Sequence, residues 1–583
     1  LHHVLEDARE VVTELLHSNA TIVGHNIAYD MSVIAAEWPE LLPAIFDAYD
    51  ADRVTDTRLR DKLQYLAVGA HNGYRQADGT FVRLGYSLAE VAERRLGLRL
   101  EKGEDTYRLR YGELRPVPLA LWPAEAIAYA KGDADATHRV FVDQEVDGFL
   151  EDQFRQARAA FWLQLMRCWG VYVDPQKKAA FRARVEADVE RTRRECQAAG
   201  LVRANGVKDM AAIRARVVAE FGDAAQRTEP SKTFPDGQVK FDRDVCKHAT
   251  DPVLRTFAAY NHHLTELTAN VPLLHNDGYP LLQPRWESLQ DNGRTACGDK
   301  KEGKGNLQNL PRLNGMRECI TPRPGFVFIV FDFKTFELCT WAQACLDLLD
   351  ESRLASVLND GADPHCDMAA RIVGIPYADA GRRYAAGDHE VSQARQAGKI
   401  ADFGFPGGLG AGRLVVHART QYDVIMTEEF AADLKEIWKE AWPEADPYFA
   451  YINTVYEGQV TQLRSGRLRA GMKFTDCANT FFSGLAADAA KASGWALARE
   501  QYTVPSSPLY GTRTVLFVHD EFVVECPEAH AHEAAVRLER VVLDAAQPWT
   551  PEVKLGGGVL LSRCWSKKAK RLVKDGKLVP WDS

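Results

Sequence analysis

At 583 residues the chain is long enough for several domains or lobes, which excludes a small module held together by disulfides. Apolar residues make up 46% and charged residues 26%, a composition that excludes global disorder and a fibrous repeat. The net charge of −9 speaks against a uniformly basic surface, but local patches rather than the total set nucleic-acid binding.

Eleven cysteines, an odd number without a C-x-x-C, argue against a zinc site or a disulfide framework and for a reducing, cytoplasmic compartment. The longest apolar run, Phe326 to Phe331, falls far short of the roughly 18 residues of a membrane span, so no membrane partner is expected. The N-terminus is not a signal peptide and lacks an initiator Met, so the chain is expected to begin inside a longer protein.

From Leu1 to about Gln153, short apolar runs alternate with helical patterns, which predicts an α/β domain. Thr21 to Gly24 reads as a strand and Tyr86 to Leu96 as a helix. A second unit starts near Phe154. There Gly170 to Pro175 is strand-like, and a basic helix follows with Phe181, Val185 and Val189 on one face. Residues 222–240 read as a flexible excursion, and residues 291–305 as a basic, Gly-rich loop. Phe326 to Phe331 predicts a strand ending at Asp332. Val515 to Val518 and Phe522 to Val524 predict a hairpin with His519, Asp520 and Glu521 at its turn, and the stretch between these strands is mostly helical.

Two carboxylates at strand ends, Asp332 and Asp520, suit Mg²⁺, which takes one or two carboxylates together with substrate phosphates. Arg395, Lys399 and Phe403, at i, i+4 and i+8, fall on one helix face, where two cations and an aromatic ring could hold a triphosphate and stack on a base or sugar. Pro406 predicts that this helix stops near Phe405.

These pieces together resemble the family A DNA polymerases, the class of bacterial DNA polymerase I and many phage replicases. Asp332-Phe333-Lys334-Thr335-Phe336-Glu337-Leu338 resembles the first palm motif, Arg395-x3-Lys399-x3-Phe403-Gly404 the fingers motif, and His519-Asp520-Glu521 the second palm motif. Gly293-Arg294-Thr295, Asn306 to Pro311 and Asp363-Pro364-His365 support it in the right order. Ahead of them, Asn26-x3-Asp30, Asp56-Thr57, Tyr86 to Glu90 and Tyr129-x3-Asp133 resemble a DEDD 3′–5′ exonuclease of the Tyr-bearing type.

The resemblance implies an α/β and α+β multidomain protein, in which an RNase H-like exonuclease domain (1–153, its first segment apparently missing) precedes a right-hand polymerase (154–583). The thumb would take about 175–290, the palm about 291–345 and 466–583, and the fingers about 346–465. It implies two Mg²⁺ ions held by Asp332, Asp520 and the Phe333 carbonyl, with Glu521 beside them. His365, Arg395 and Lys399 would contact the incoming triphosphate, and Lys399 would also protonate the leaving pyrophosphate. Phe403 would pack on the nucleotide, and Glu337 would exclude a ribose 2′-OH. Arg294, Asn479 and His519 would touch the primer–template. In the exonuclease domain Asp30 and Asp133 would hold up to two further divalent ions, Tyr129 would orient the attacking water, and Asn26 belongs to the same motif. Primer–template DNA and dNTPs are the expected partners, and a processivity or replisome protein is compatible with them. The basic helix after Pro175 would grip the duplex, and the C-terminal run Lys567 to Lys577 could bind its backbone or be a solvated tail.

Four departures bear on these roles. Gly407 stands where the fingers motif usually has Tyr, Ser483 where a Gln is usual, Thr475 where an Arg is common, and Lys334-Thr335 where Ser-Gln is common. They point to a divergent, phage-like branch acting in a host cytoplasm. The exonuclease motifs also lack a D-x-E upstream of Asn26, because Glu6-Asp7 lies in a helical pattern, so either a first segment is missing from the chain or the exonuclease is degenerate. Three other readings stand beside the polymerase: a single-subunit RNA polymerase, which Glu337 opposes; an exonuclease with a dead palm; and a non-catalytic replisome scaffold.

Overall fold

The computed structural model describes residues 5–76, 78–103, 106–114, 117–231, 233–274, 280–298, 306–312 and 314–582. Residues 299–305 of the basic loop expected at 291–305 thus lie outside the described residues. The chain divides into two compact units. One comprises Leu1–Trp169, Arg285–Cys297 and Ile329–Leu560, and the other Gly170–Pro284, Gly298–Phe328 and Leu561–Ser583.

The first unit opens with a helix over Leu5–His17 and then β1 (Ile22–Gly24), α1 (Ile27–Glu37), β2 (Val54–Asp56) and α2 (Thr57–Ala67), with β1 and β2 parallel. Buried Asp56 orders this junction. Its carboxylate caps α2 through the Arg58 N–H and also accepts from the backbone N–H groups of Asn26 and Ile27. α3 (Leu88–Leu96) starts two residues later than the sequence pattern suggests, because Ser87 and Glu90 form a reciprocal capping box. α4 (Ala124–Asp147) and α5 (Gln153–Trp169) follow.

α5 lies in the core. Trp162 packs edge-on to Phe517, with ring centroids 5.7 Å apart, and fills the space beside Gly494, where a Cβ would come within 2.6 Å of the indole. A buried ionic network ties the same region together. Arg467 donates to Asp152 at 2.6 Å and to Asp488 at 2.8 and 3.0 Å, and Lys491 donates to Gln156. Burial holds the Lys491 ammonium down at about 8.

In the second unit β3 (Val171–Tyr172) leads directly into α6 (Pro175–Ala198). Asp174 caps this helix and Pro175 occupies its first position, so the proline starts a helix rather than ending a strand. The basic face of α6 is laced with acids: Arg182 pairs with Glu186, Arg191 with Asp188, and Arg193 and Arg194 with Glu190. The excursion at 222–240 is held by a short ladder through Thr228–Gln238 and Lys240–Gln226. α7 (Pro252–Thr265) packs on α6.

β4 (Phe326–Lys334) is apolar almost throughout, as expected of a strand covered on both faces. It runs on through Asp332, which therefore lies inside the strand and not at its end. α8 (Phe336–Leu349), α9 (Pro364–Val373) and α10 (His389–Gly404) follow, and α10 stops at Gly404 with a 3₁₀ turn at Phe405–Gly407. Then come α11 (Phe474–Thr503) and the hairpin β5 (Arg513–Val518) and β6 (Glu521–Pro527). After β7 (Gly556–Ser562) the chain ends in β8 (Leu572–Lys574) and β9 (Lys577–Trp581), an antiparallel hairpin about Asp575-Gly576 rather than a tail. The first unit's sheet runs β5-β6-β4-β7. None of the eleven cysteines is in a disulfide, and all but Cys168 are buried. Among the described residues no helix is long and apolar enough to cross a membrane.

Candidate active site

The middle of the β5-β6-β4-β7 sheet gathers acids. Asp520 sits in the β5–β6 turn, made possible by His519 at φ 62°, and its carbonyl accepts the Phe333 N–H of β4 at 3.4 Å. Phe333 stacks on Phe336 at 4.0 Å, which fixes the backbone next to Asp332. On the other side β7 brings three glycines, Gly556 to Gly558. A Cβ on Gly557 would collide with the Phe331 ring, so the close approach of β7 to β4 requires glycine there. The Asp520 carboxyl is pushed up to about 7, first by burial and then by the negative charges of Asp332, Glu337 and Glu521. Acids concentrated this way fit a divalent cation, whose charge would offset theirs.

Glu337 lies in the first turn of α8, after Thr335 at φ 48°. Its Oε1 accepts from the guanidinium of Arg294 and, at 3.0 Å, from the hydroxyl of buried Ser483 on α11. Arg294 also donates to Ser483 at 3.2 Å. The residue in the place of the usual Gln thus helps to hold Glu337.

The two cations and the aromatic ring predicted on one face do share α10. Arg395 donates Nε and Nη2 to Asp363, at 3.0 and 2.7 Å, and its guanidinium lies 4.7 Å over the Tyr384 ring. Asp363 in turn caps α9 through the His365 N–H. His365 is buried, with its ring centroid 5.9 Å from that of Phe403, and its Nδ1 bonds Asp402 Oδ2 at 2.7 Å. Helices α9 and α10 touch at Gly398, where a Cβ would stand 2.6 Å from Met368 Cβ. Lys399 and Phe403 are half-buried.

The Gly407 position is filled by its neighbour. A Cβ there would meet the Asn479 amide at 2.8 Å, and Asn479 Nδ2 donates to the carbonyls of Gly407 (3.4 Å) and Thr475 (2.7 Å).

The N-terminal motif residues form a second centre with different electrostatics. Asn26 has left-handed backbone (φ 63°) and puts its N–H on Asp56, not its side chain on the helix. Asp30, one turn into α1, is raised to about 6 by desolvation of its carboxyl and then by Asp56, although the residue as a whole is exposed. Asp133 on α4 has a cation on it. Lys102 Nζ donates to both of its oxygens at 2.5 Å and to Tyr129 OH at 2.7 Å. Nothing in the sequence pattern singled out Lys102. As arranged, Asp133 and Tyr129 do not fit a metal ion, because the ammonium takes the positions a cation would need.

Residues 290–567 match the family model for DNA polymerase family A, and residues 1–143 match that for a 3′–5′ exonuclease. The chain is 26% identical over 299 residues to the thermostable DNA polymerase I of Thermus aquaticus, covering 48% of this chain and 33% of that protein. It is 27% identical over 271 residues to DNA polymerase I of Deinococcus radiodurans, covering 43% and 26%. It therefore spans about a third or less of the length of these curated relatives. A solved structure of the POL domain of Pol1 from M. smegmatis, in complex with DNA primer-template and dNTP, superimposes with a TM-score of 0.67 at 17% identity, over 97% of this chain and 89% of that one. That likeness carries the fold alone. Domains of the two matched families use divalent metal ions. By these matches, in this order along the sequence, the chain carries a 3′–5′ exonuclease domain over residues 1–143 ahead of a family A DNA polymerase domain over residues 290–567.

Proposed function

We propose that this chain extends a primer 3′-OH with dNTPs in template-directed DNA synthesis. The observation that carries the reading is the raised Asp520 carboxyl among Asp332, Glu337 and Glu521. The solved neighbour's primer-template and dNTP name the ligands proposed here.

In the proposed reaction the primer 3′-oxygen forms a bond to the α-phosphorus as the bond to the pyrophosphate oxygen breaks. Asp332, Asp520 and the Phe333 carbonyl would hold two Mg²⁺ ions, with Glu521 beside them, and bound ions of this kind stabilise charge on the attacking and leaving oxygens. Arg395, Lys399 and His365 bind the triphosphate, Lys399 gives a proton to the departing pyrophosphate, and Phe403 packs on the sugar and base. Catalysis of this class is mostly positioning and charge stabilisation. The Asp363 contact supports the first role, because it fixes Arg395 before substrate arrives. Glu337, held by Arg294 and Ser483, excludes a 2′-OH, and Arg294, Asn479 and His519 contact the primer–template.

Within the polymerase we assign residues of about 175–290 to the thumb, 291–345 and 466–583 to the palm, and 346–465 to the fingers. Residues 1–153 are the exonuclease domain, with Asp30, Asp133, Tyr129 and Asn26 as its motif residues. No hydrolytic step is derived for it while Lys102 sits on Asp133. The matched relatives are bacterial, so a phage-type replicase rests on the departures at Gly407, Ser483, Thr475 and Lys334-Thr335.

Primer extension with Mg²⁺ and four dNTPs, on matched and 3′-mismatched primers, tests the reading. Extension of the matched primer that disappears in Asp520→Ala supports it. Failure of the unmodified chain to extend either primer while still binding them would replace it with a non-catalytic DNA-binding role.

A further inference from the structure

The reading above leaves out one buried acid of the nucleotide-binding helices. Asp402 stands next to Phe403 on α10 and is 1% exposed. Its Oδ1 accepts the Trp442 indole N–H at 3.0 Å, and its Oδ2 faces His365 Nδ1 at 2.7 Å. An indole N–H can only donate, so Oδ1 is committed as an acceptor. Burying a carboxylate is costly unless its oxygens are hydrogen-bonded, and here each oxygen has one N–H partner. The partner ring is itself 4% exposed, so little water competes for either contact.

The two ring nitrogens of a histidine have distinct jobs, and the bond made by one sets what the other can do. With Nδ1 spent on Asp402, Nε2 is the nitrogen left for a ligand. A phosphate oxygen accepts hydrogen bonds and does not donate them, so Nε2 must carry a proton to be useful. A carboxylate on one side and a phosphate on the other would each take an N–H from the ring. Asp363 is another charged group acting on the ring. Asp363 heads α9, and Arg395 of α10 is already bound to it.

We propose that Asp402 is a positioning residue that holds His365 as an imidazolium, with Nδ1–H bound to the carboxylate and Nε2–H presented to the triphosphate of the incoming nucleotide. The proposal rests on the reading of His365 as a triphosphate contact. Asp402→Asn keeps the shape but removes the charge. Its single amide oxygen cannot accept from Trp442 and His365 at once, so its NH₂ turns toward Nδ1 and strips that nitrogen of its proton.

The test uses the full chain with primer–template. In steady-state extension, Asp402→Asn raises KM for dNTP about tenfold, the difference between a charge-assisted and a neutral hydrogen bond, while kcat changes less than about threefold. His365→Gln gives a similar rise, and the double variant is no worse than His365→Gln alone, since a residue that acts only through His365 has nothing further to lose. In the ternary complex on a dideoxy-terminated primer, ¹⁵N-histidine spectra, assigned by difference from His365→Gln, show both ring nitrogens protonated in the unmodified chain and only Nε2 protonated in Asp402→Asn. Additive losses in the double variant, or a singly protonated His365 in the unmodified complex, would overturn the proposal. The second measurement decides even if Asp402→Asn does not fold. An unchanged KM in His365→Gln, with extension intact, would instead remove the phosphate contact on which the proposal rests.

Discussion

The two carboxylate centres of the first unit hold their negative charge in opposite ways. At the β4 and β5–β6 centre, Asp520 is surrounded by Asp332, Glu337 and Glu521, and burial together with their charge raises its carboxyl to about 7. At the N-terminal centre, Asp133 has Lys102 on both oxygens and Tyr129 bound to the same ammonium. A carboxyl whose strongest charged neighbours are acids, as at Asp520, is a site prepared for a diffusible cation. A carboxylate with a lysine on it is already balanced, and a metal ion must displace the lysine first. The residue types of the two motifs are alike, so the contrast comes from which side chain the fold brings alongside.

The largest expected effect breaks the first centre. Asp332→Ala or Asp520→Ala should lower primer extension by at least about 10³-fold, since several kcal/mol of transition-state stabilisation are lost. Primer–template affinity, measured by anisotropy, should change little. Near-normal extension would show that the acid cluster is structural. Next comes Glu337, an acid of that cluster on which Arg294 and Ser483 are fixed. Glu337→Ala should raise ribonucleotide incorporation by about 10- to 100-fold relative to dNTP, as expected when a contact worth about 1.5–3 kcal/mol of discrimination is removed. Unchanged selectivity in competing single-nucleotide extension would take the sugar gate away from this residue.

The motif positions were legible in the sequence because each combines unlike residues at fixed spacing: two cations and a ring at i, i+4 and i+8, or acids at a strand and at a hairpin turn. Their environments were not. Asp402 precedes Phe403 in the motif and reads as an ordinary helix residue until Trp442, forty positions on, closes over it. Lys102 lies in an irregular segment between helices, 31 residues from Asp133, where no periodicity points at it. The departure at Gly407 was visible as a missing ring, but its consequence needed α11 to place Asn479 in the space. Asp332 read as a strand end because polarity usually marks one. The strand continues past it because Phe333 is buried on the alternate face.

A smaller effect sharpens the comparison through pH. Asp520 has a folded-state value of about 7 against 3.8 for an ordinary aspartate, so between these values the folded protein binds more protons than the unfolded chain. The stability tied to that proton is complete below about pH 4 and is lost as pH rises toward 7. Asp520→Asn, which cannot ionise, should therefore melt higher than the unmodified chain at pH 7.5 and close to it at pH 4.5, with no divalent ion added. Added Mg²⁺ should raise the melting temperature of the unmodified chain more at pH 7.5 than at pH 5.5, and that of Asp520→Asn less at either pH. Parallel melting curves for the two proteins across this range would mean that the cluster's charge is relieved in another way.

The smallest effect concerns Lys102. Its bridge to Asp133 is partly open to solvent, with side-chain exposures of 21% and 34%, so Lys102→Met should cost only about 0–1 kcal/mol of stability. Its electrostatic consequence is larger than its structural one. Removing the ammonium leaves the Asp133 carboxylate and the Tyr129 hydroxyl facing each other without a cation, which converts the N-terminal centre toward the condition of Asp520. Mn²⁺ binding to the full chain should then increase, and the added binding should be abolished in Lys102→Met/Asp133→Asn. An Asp520→Asn background removes the polymerase contribution to the titration, so any gain is read at Asp133 alone. If Lys102→Met binds no more Mn²⁺ than its parent in that background, the lysine is a surface contact, and the contrast between the two centres lies in the number of acids each assembles and not in the lysine on Asp133.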